Sequence, residues 1–478
     1  MLLGLCVHIL YLSYTPYNVR EHDVEGHLGY IKYVATNWRL PDPEPSSGWE
    51  NFQAPLYYIT AAVVYKISGN VGIDYHIVLQ VLSLVYFTVL LIFGVLLLQI
   101  VCKTKWLFFT STALLIFWPS GIIDSVRIGN DPMYDMLFVM TMYFLMRWLV
   151  DKQNTHFYAA ALFAASTMAT KLNGVLVLGI FGMFFVSTWL KTKQKRSYLL
   201  KIVFFISVVL LASYISLFRL VIAIIQDPHF NILAANASST ITGTSVGNTL
   251  HNYVYFDVHT YITQAFTDPW NDIGGRQYFW NFLLKTMLFG EYRFPSADGQ
   301  FVATLLSILL LQMFVFLLFG LFFVKHHNNV MILWLILSVL SLIYYHHSIP
   351  NSNTGDFRFI FPAIIPFIYF YLTGVDFFIV CKLKGIRNFG CILAYLFILG
   401  TCFFFIISQG QQFKIIIFWI AFAAPIALFF YTEKQKIGAE LAPIHVPGTS
   451  RERREGMRVL QKIPENHQSS ESKYAGGF

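Results

Sequence analysis

The chain has 478 residues, 56% of them apolar and 12% charged, with 47 Phe, 27 Tyr and a mean hydropathy of +0.58. That is more apolar surface than a soluble core of this size can bury, so the composition excludes a soluble globular protein and indicates an integral membrane protein. The net charge of +8 does not read as a nucleic-acid footprint, because the cations sit in loops between apolar runs and in the C-terminal segment.

Apolar runs near or above the ~20 residues that cross ~30 Å of hydrocarbon fall at 2–14, 75–101, 106–123, 132–150, 156–170, 173–190, 200–225, 301–324, 329–346, 359–381, 388–408 and 412–431. They predict an all-α bundle of about 12 transmembrane helices, and they exclude a barrel of alternating strands. Cys6, Cys102, Cys381, Cys391 and Cys402 lie in or beside these runs without zinc-like or disulfide spacing, and read as packing residues.

The first run, "LLGLCVHILYLSY", would rise only ~20 Å as a helix. It lacks a basic n-region and a small-residue cleavage site, so the expectation is a native start upstream of Met1 rather than a signal peptide. If this run leads outward, the loops on one side carry Lys103, Lys105, Arg147, Lys152, Lys191, Lys193, Lys195, Arg196, Lys201, Lys325, Lys382, Lys384 and Arg387. The other side has only Arg127, Lys171, Arg358 and Lys414. The positive-inside rule places the cation-poor side outside, together with two long insertions at 15–74 and 226–300. The chain then divides into a transmembrane domain, 1–431, and a basic, polar cytoplasmic tail, 432–478. No fixed-period repeat or long low-complexity tract is present.

The first insertion opens with "REHDVEGH", a dense group of ionisable side chains in a charge-poor chain. Val24, Leu28, Ile31 and Val34 follow at helical spacing and Pro41, Pro43 and Pro45 end the pattern, which predicts an amphipathic helix on the outer leaflet. On it Asp23 and His27 face one way and Glu25 another. A second short helix begins at Pro55, in "WENFQAPLYY". The next outer loop, "RIGNDP", holds Arg127, Asn130 and Asp131, where Asp131 either caps the helix after it or contacts a substrate. "TKLNG" puts Lys171 at the end of a span, to snorkel to head groups or to face an anion. The large insertion carries Asp268, Asp272, Arg276, Lys285, Glu291 and Arg293, and "DFRFIFP" places Asp356 and Arg358 before a late span. His22 and His27 flank Asp23, a set of donors that suits zinc or manganese, but two histidines five apart on a helix point to different sides and there is no H-E-x-x-H pattern, so the expectation is no metal, with a divalent ion as the alternative.

These loop motifs, in this order and on one side, resemble the GT-C superfamily of polytopic glycosyltransferases, in the branch of the protein O-mannosyltransferases and the lipid A aminoarabinose transferases. The resemblance spans most of residues 15–380. It departs from that pattern in having Val24 after Asp23, with the next acid at Glu25. The resemblance implies a GT-C fold and a sugar donor linked to polyprenyl phosphate. The acceptor would be a lipid, glycan or protein, and the active site would face the periplasm, the cell exterior or a lumen. Asp23 would be the general base of an inverting transfer, with Glu25 or Asp131 as a second acid or acceptor contact. Lys171, Arg276 and Arg358 would hold the leaving phosphate. Arg20, His27, Asn130, Trp49 and Gln53 are further candidates, with the aromatics also readable as interfacial anchors. No cofactor is implied. The membrane would be the plasma or inner membrane, or the endoplasmic reticulum in a eukaryote, where "NAS" at Asn236 would be a glycan acceptor. A transporter, flippase or polymerase of lipid-linked saccharides is the alternative, although transporters place ionisable groups near the bilayer midplane and show repeated halves.

Overall fold

The computed structural model describes residues 2–44, 47–192, 195–227, 243–294, 296–323 and 328–408. The chain forms two units, Met1–Ile444 and His445–Phe478, and every described residue belongs to the first. The expected span at 412–431, the tail from 432 and Asn236 lie outside the described residues. Among those described, the chain is helical apart from turns, loops and one isolated bridge between Ser245 and Asn351.

The helices run in order α1 (Leu2–Tyr14), α2 (Val24–Asn37), α3 (Leu56–Val71), α4 (Tyr75–Val101), α5 (Lys105–Ile116) and α6 (Pro119–Asp124). Next come α7 (Asp131–Asp151), α8 (Asn154–Thr170), α9 (Val175–Lys191), α10 (Lys195–Gln226), α11 (Leu250–Val254) and α12 (Val258–Thr263). The series closes with α13 (Phe279–Phe289), α14 (Ala297–Phe323), α15 (Asn329–Ser348), α16 (Ile364–Val380) and α17 (Lys384–Ser408). Among the described residues, eight segments are long and apolar enough to cross a membrane: α4, α7, Leu172–Lys191, Tyr198–Gln226, α14, α15, Ser352–Phe378 and α17. The apolar helices α1 and α5 fall short of that length, as does α8 with 17 residues. On α10, Leu200, Leu210, Tyr214 and Ile225 are more than half exposed, as a stripe facing lipid tails requires.

The run at 106–123, expected as one span, is two helices. α5 stops at Phe117, and Pro119, which has no N–H to continue a ladder, opens α6. The break turns Trp118 and Ser120 inward, where both donate to the Met287 carbonyl of α13 at 2.7 and 2.9 Å. This joint fixes α13, and with it the chain that follows at 290–294.

α2 owes its form to the apolar positions that the sequence displays. Val24, Leu28, Ile31, Val34 and Ala35 are buried, and Tyr30 stacks on Tyr58 of α3 with ring centroids 3.7 Å apart. The helix ends at Trp38, in the left-handed region at φ 52°, just before the prolines. α2 therefore seats its apolar face on protein.

α14 and α16 cross closely at Gly320 and Gly374. A Cβ on either would overlap the opposing backbone carbonyl, of Phe370 and Phe316 respectively, so only glycine lets these backbones meet. Gly374→Val is expected to cost about 1–3 kcal/mol through overpacking, and thus to lower the melting temperature of the detergent-solubilised protein by several degrees. An unchanged melting curve would show that the crossing does not constrain the bundle.

Candidate active site

Four chain segments, distant in sequence, converge at one end of the bundle. The first is the turn before α2. Asp23 occupies the N-cap position of that helix, yet its side chain makes no capping hydrogen bond. Instead its Oδ2 accepts from Arg358 Nη1 at 3.0 Å. Arg358 comes from the turn before α16, where Asp356 accepts from its backbone N–H and lies 3.3 Å from its Nε. Burial works to raise the Asp23 carboxyl, but the surrounding groups, Arg358 first with its charge and hydrogen bond and then His27 and Arg127, together outweigh it and hold the acid below the usual carboxylate range. With 29% of its side-chain surface exposed, Asp23 stays open to a ligand.

A second pair stands across from the first. Lys171, at the C-terminal end of α8, is ion-paired with Asp131, the first residue of α7. Gly174 makes the turn possible, since a Cβ there would overlap the backbone of Thr167 and Met168. Beside this pair Asn130 donates to Gln53 Oε1 at 3.2 Å.

The third element is the loop carrying Trp49, Glu50 and Gln53. It packs so closely on α2 that a Cβ at Gly26 would overlap Trp49 and Glu50. Arg219 of α10 latches the loop from behind, donating to Pro41 O at 2.6 Å, Asn51 O at 2.9 Å and Gln53 O at 2.8 Å. Its fourth bond, 2.7 Å long, goes to the hydroxyl of Tyr30. Glu50 is buried, accepts from Gln53 Nε2 at 3.0 Å and lies 4.0 Å from His27 Nδ1, which also contacts the Tyr58 hydroxyl at 2.8 Å. Burial, then the nearby negative charge of Asp23, pushes the Glu50 carboxyl up to about 8, so it carries its proton at neutral pH. Burial likewise lowers His27, which is neutral there.

The fourth wall belongs to the large insertion. His22 stacks on Tyr292 at 5.0 Å, meets Trp270 edge-on at 5.0 Å, and lies 3.4 Å from the Glu291 carbonyl through Nε2. Behind it Arg127 donates two 3.0 Å bonds to Glu21. Together the four elements enclose a cavity of about 390 Å³, within the range of small-ligand sites.

Of the residues expected at a site, the cavity brings together Asp23, His27, Trp49, Gln53, Asn130, Asp131, Lys171 and Arg358. Three lie elsewhere. Glu25 is on the exposed face of α2, as the helical spacing dictates. Arg20 turns away to rest 4.0 Å from the Phe294 ring and to contact the Tyr11 hydroxyl. Arg276 spends its donors on Asp272 and on the carbonyls of Gly243 and Pro269, so it braces the insertion. Sequence reasoning passed over Glu50 and Arg219, and it named Glu291 among the charges of the large insertion without giving it a role. Arg219 had a readable signal, an arginine inside an apolar run. Glu50 and Glu291 had none beyond their aromatic neighbours. Among the described residues, no group of three or more His, Cys, Asp and Glu side chains has metal-binding geometry.

No protein-family model and no curated protein sequence matches the chain. Among solved structures it is similar to ArnT from Cupriavidus metallidurans bound to undecaprenyl phosphate, at 9% identity and a TM-score of 0.47, over 91% of this chain and 77% of that one. The same protein in the apo state gives 9% identity and a TM-score of 0.49, over 89% and 76%.

The protonated Glu50 has a measurable consequence. In the unfolded chain a glutamate ionises near pH 4.5, whereas in the folded one Glu50 holds its proton to about pH 8. Between these values the unfolded state binds fewer protons, so raising the pH favours unfolding, and the effect levels off above pH 8. Thermal melting between pH 5 and pH 8 is expected to show this loss in the native protein and a shallower slope in Glu50→Gln. Parallel slopes would show that Glu50 is ionised in the folded state.

Proposed function

We propose that the chain is a membrane glycosyltransferase of GT-C type that moves a sugar from polyprenyl phosphate to an acceptor at the outer or luminal face. The observation that carries this reading is the convergence of an ionised carboxylate, Asp23, with two cations, Arg358 and Lys171, in one cavity at the end of a membrane bundle. Transfer of a sugar from a lipid phosphate needs these two functions side by side. A base takes the proton of the incoming hydroxyl, and cations receive the charge that collects on the leaving phosphate.

The reaction proceeds by inversion. The acceptor oxygen attacks the anomeric carbon from the face opposite the phosphate, the bond from that carbon to the phosphate oxygen breaks, and its electron pair leaves with the phosphate. The acceptor proton passes to Asp23. Arg358 links both ends of the event. Its Nη1 donates to Asp23, and transfer of that donor to the phosphate frees the carboxylate to act as base. Lys171 is held by Asp131 in the same poised manner. A carrier of lipid-linked saccharides would share the cations but has no use for a carboxylate set against one of them.

The test uses purified protein and a polyprenyl-phosphate hexose, with release of free polyprenyl phosphate as the readout. Asp23→Asn keeps the shape of the site but cannot accept a proton. It is expected to slow single-turnover transfer by ~10²–10⁴-fold while the donor still binds, since Arg358 loses a competitor for the phosphate. Arg358→Met and Lys171→Met are expected to weaken donor binding, and Glu25→Gln, on the exposed face of α2, to leave transfer near the native rate. Near-native transfer by Asp23→Asn would overturn its assignment as base, and unchanged donor affinity in both methionine variants would overturn the phosphate site.

A further inference from the structure

Two polar side chains of the cavity wall are left over once the carboxylate and cations have been assigned. Glu291, in the chain after α13, is 5% exposed and lines the cavity, yet its Oε1 has no hydrogen-bond partner among the described residues. Asn353, in the short helical turn Ser352–Gly355, lines the same cavity and has a buried, equally unpartnered Oδ1. A buried polar atom without a partner costs roughly 1–3 kcal/mol. The two residues line one hollow, and a rotation of either side chain into it would let a ligand supply the missing bond. Trp270, half exposed, stands on the same wall and offers an indole face at the rim.

We infer that Glu291 and Asn353 form the subsite that recognises the hydroxyls of the transferred sugar, with Trp270 beside its ring. The inference rests on the glycosyltransferase reading and names the sugar class for it: a neutral, hydroxyl-bearing hexose or pentose. Burial holds the Glu291 carboxyl well above the usual range; Arg358 opposes this, and the negative charges of Asp356 and Asp23 add to it. As a neutral acid it donates one hydrogen bond and accepts another, which suits an alcohol. A protonated amino sugar would instead require an ionised partner. The placement also fits the reaction, because His22 contacts the Glu291 carbonyl and is the residue before Asp23. A sugar gripped by Glu291 is thereby held close to the base.

The experiment measures binding of polyprenyl-phosphate mannose, polyprenyl-phosphate glucose, a polyprenyl-phosphate amino sugar and sugar-free polyprenyl phosphate to the full-length protein in nanodiscs. Glu291→Leu and Asn353→Leu are expected to weaken binding of the preferred neutral sugar donor roughly ten- to a hundredfold while leaving sugar-free polyprenyl phosphate unaffected. Glu291→Gln, which keeps a donor and an acceptor, should recover most of the loss. Equal losses for sugar-bearing and sugar-free lipid, or none for either leucine variant, would overturn the subsite, as would native preference for the amino sugar. If the native protein releases no lipid phosphate from any of these donors, the glycosyltransferase reading itself falls, an outcome separate from loss of the subsite alone.

Discussion

The ion pair between Asp23 and Arg358 joins residues 335 positions apart, and both line the cavity. Neither group can be left alone where it sits. A charge removed from water beside an apolar bundle is costly unless an opposite charge and hydrogen bonds answer it, and breaking such a pair costs far more than a surface pair would. The pair therefore constrains the first loop to close over the last. Arg358 adds Asp356 at 3.3 Å, so the guanidinium sits between two acids and is held in place before any substrate arrives.

Three carboxyl groups around this pair are held in different states. Asp23 faces a guanidinium and is held in its charged form, whereas Glu50 and Glu291, buried without a cation in contact, are held in their neutral form. Environments that push neighbouring acids apart in this way allow one site to hold both a base and hydrogen-bond donors at the same pH. The sorting depends on rigid walls, and these come from outside the cavity. Arg219 fastens the loop of Glu50 from α10, the break at Pro119 lets Trp118 and Ser120 fix the end of α13, and Gly26 allows the loop to lie directly on α2.

How much of this was legible in the sequence follows from the range of the forces involved. Apolar runs announce spanning helices because bilayer thickness is a local constraint, and α4, α14, α15 and α17 lie where the runs fall. The run at 106–123 misled because hydropathy ignores the helix-stopping effect of Pro119 in an otherwise apolar stretch. At the site, a helical repeat was enough to set Asp23 and His27 on one side and Glu25 on the other. The partners were not legible. Arg358 reads equally well as a pair for Asp356 two positions earlier, and only the folded chain shows that it also reaches Asp23. Glu50 and Glu291 looked like ordinary loop acids because burial, the property that makes them unusual, is set by residues far along the chain. Arg276 carries the same charge as Arg358, but its carbonyl partners appear only once the insertion has folded around it.

The account stands on the Asp23 and Arg358 pair opening to take a lipid-linked sugar phosphate. The most direct measurement is an experimental structure of the full-length protein, with Asp23→Asn used to slow turnover, bound to a polyprenyl-phosphate hexose. The account predicts the phosphate within hydrogen-bond reach of Arg358 and Lys171, with the side chain at position 23 released from Arg358 and facing the anomeric carbon on the side opposite the phosphate. A phosphate bound away from this cavity, or a sugar lying beyond reach of position 23 with Arg358 still turned toward it, would contradict it.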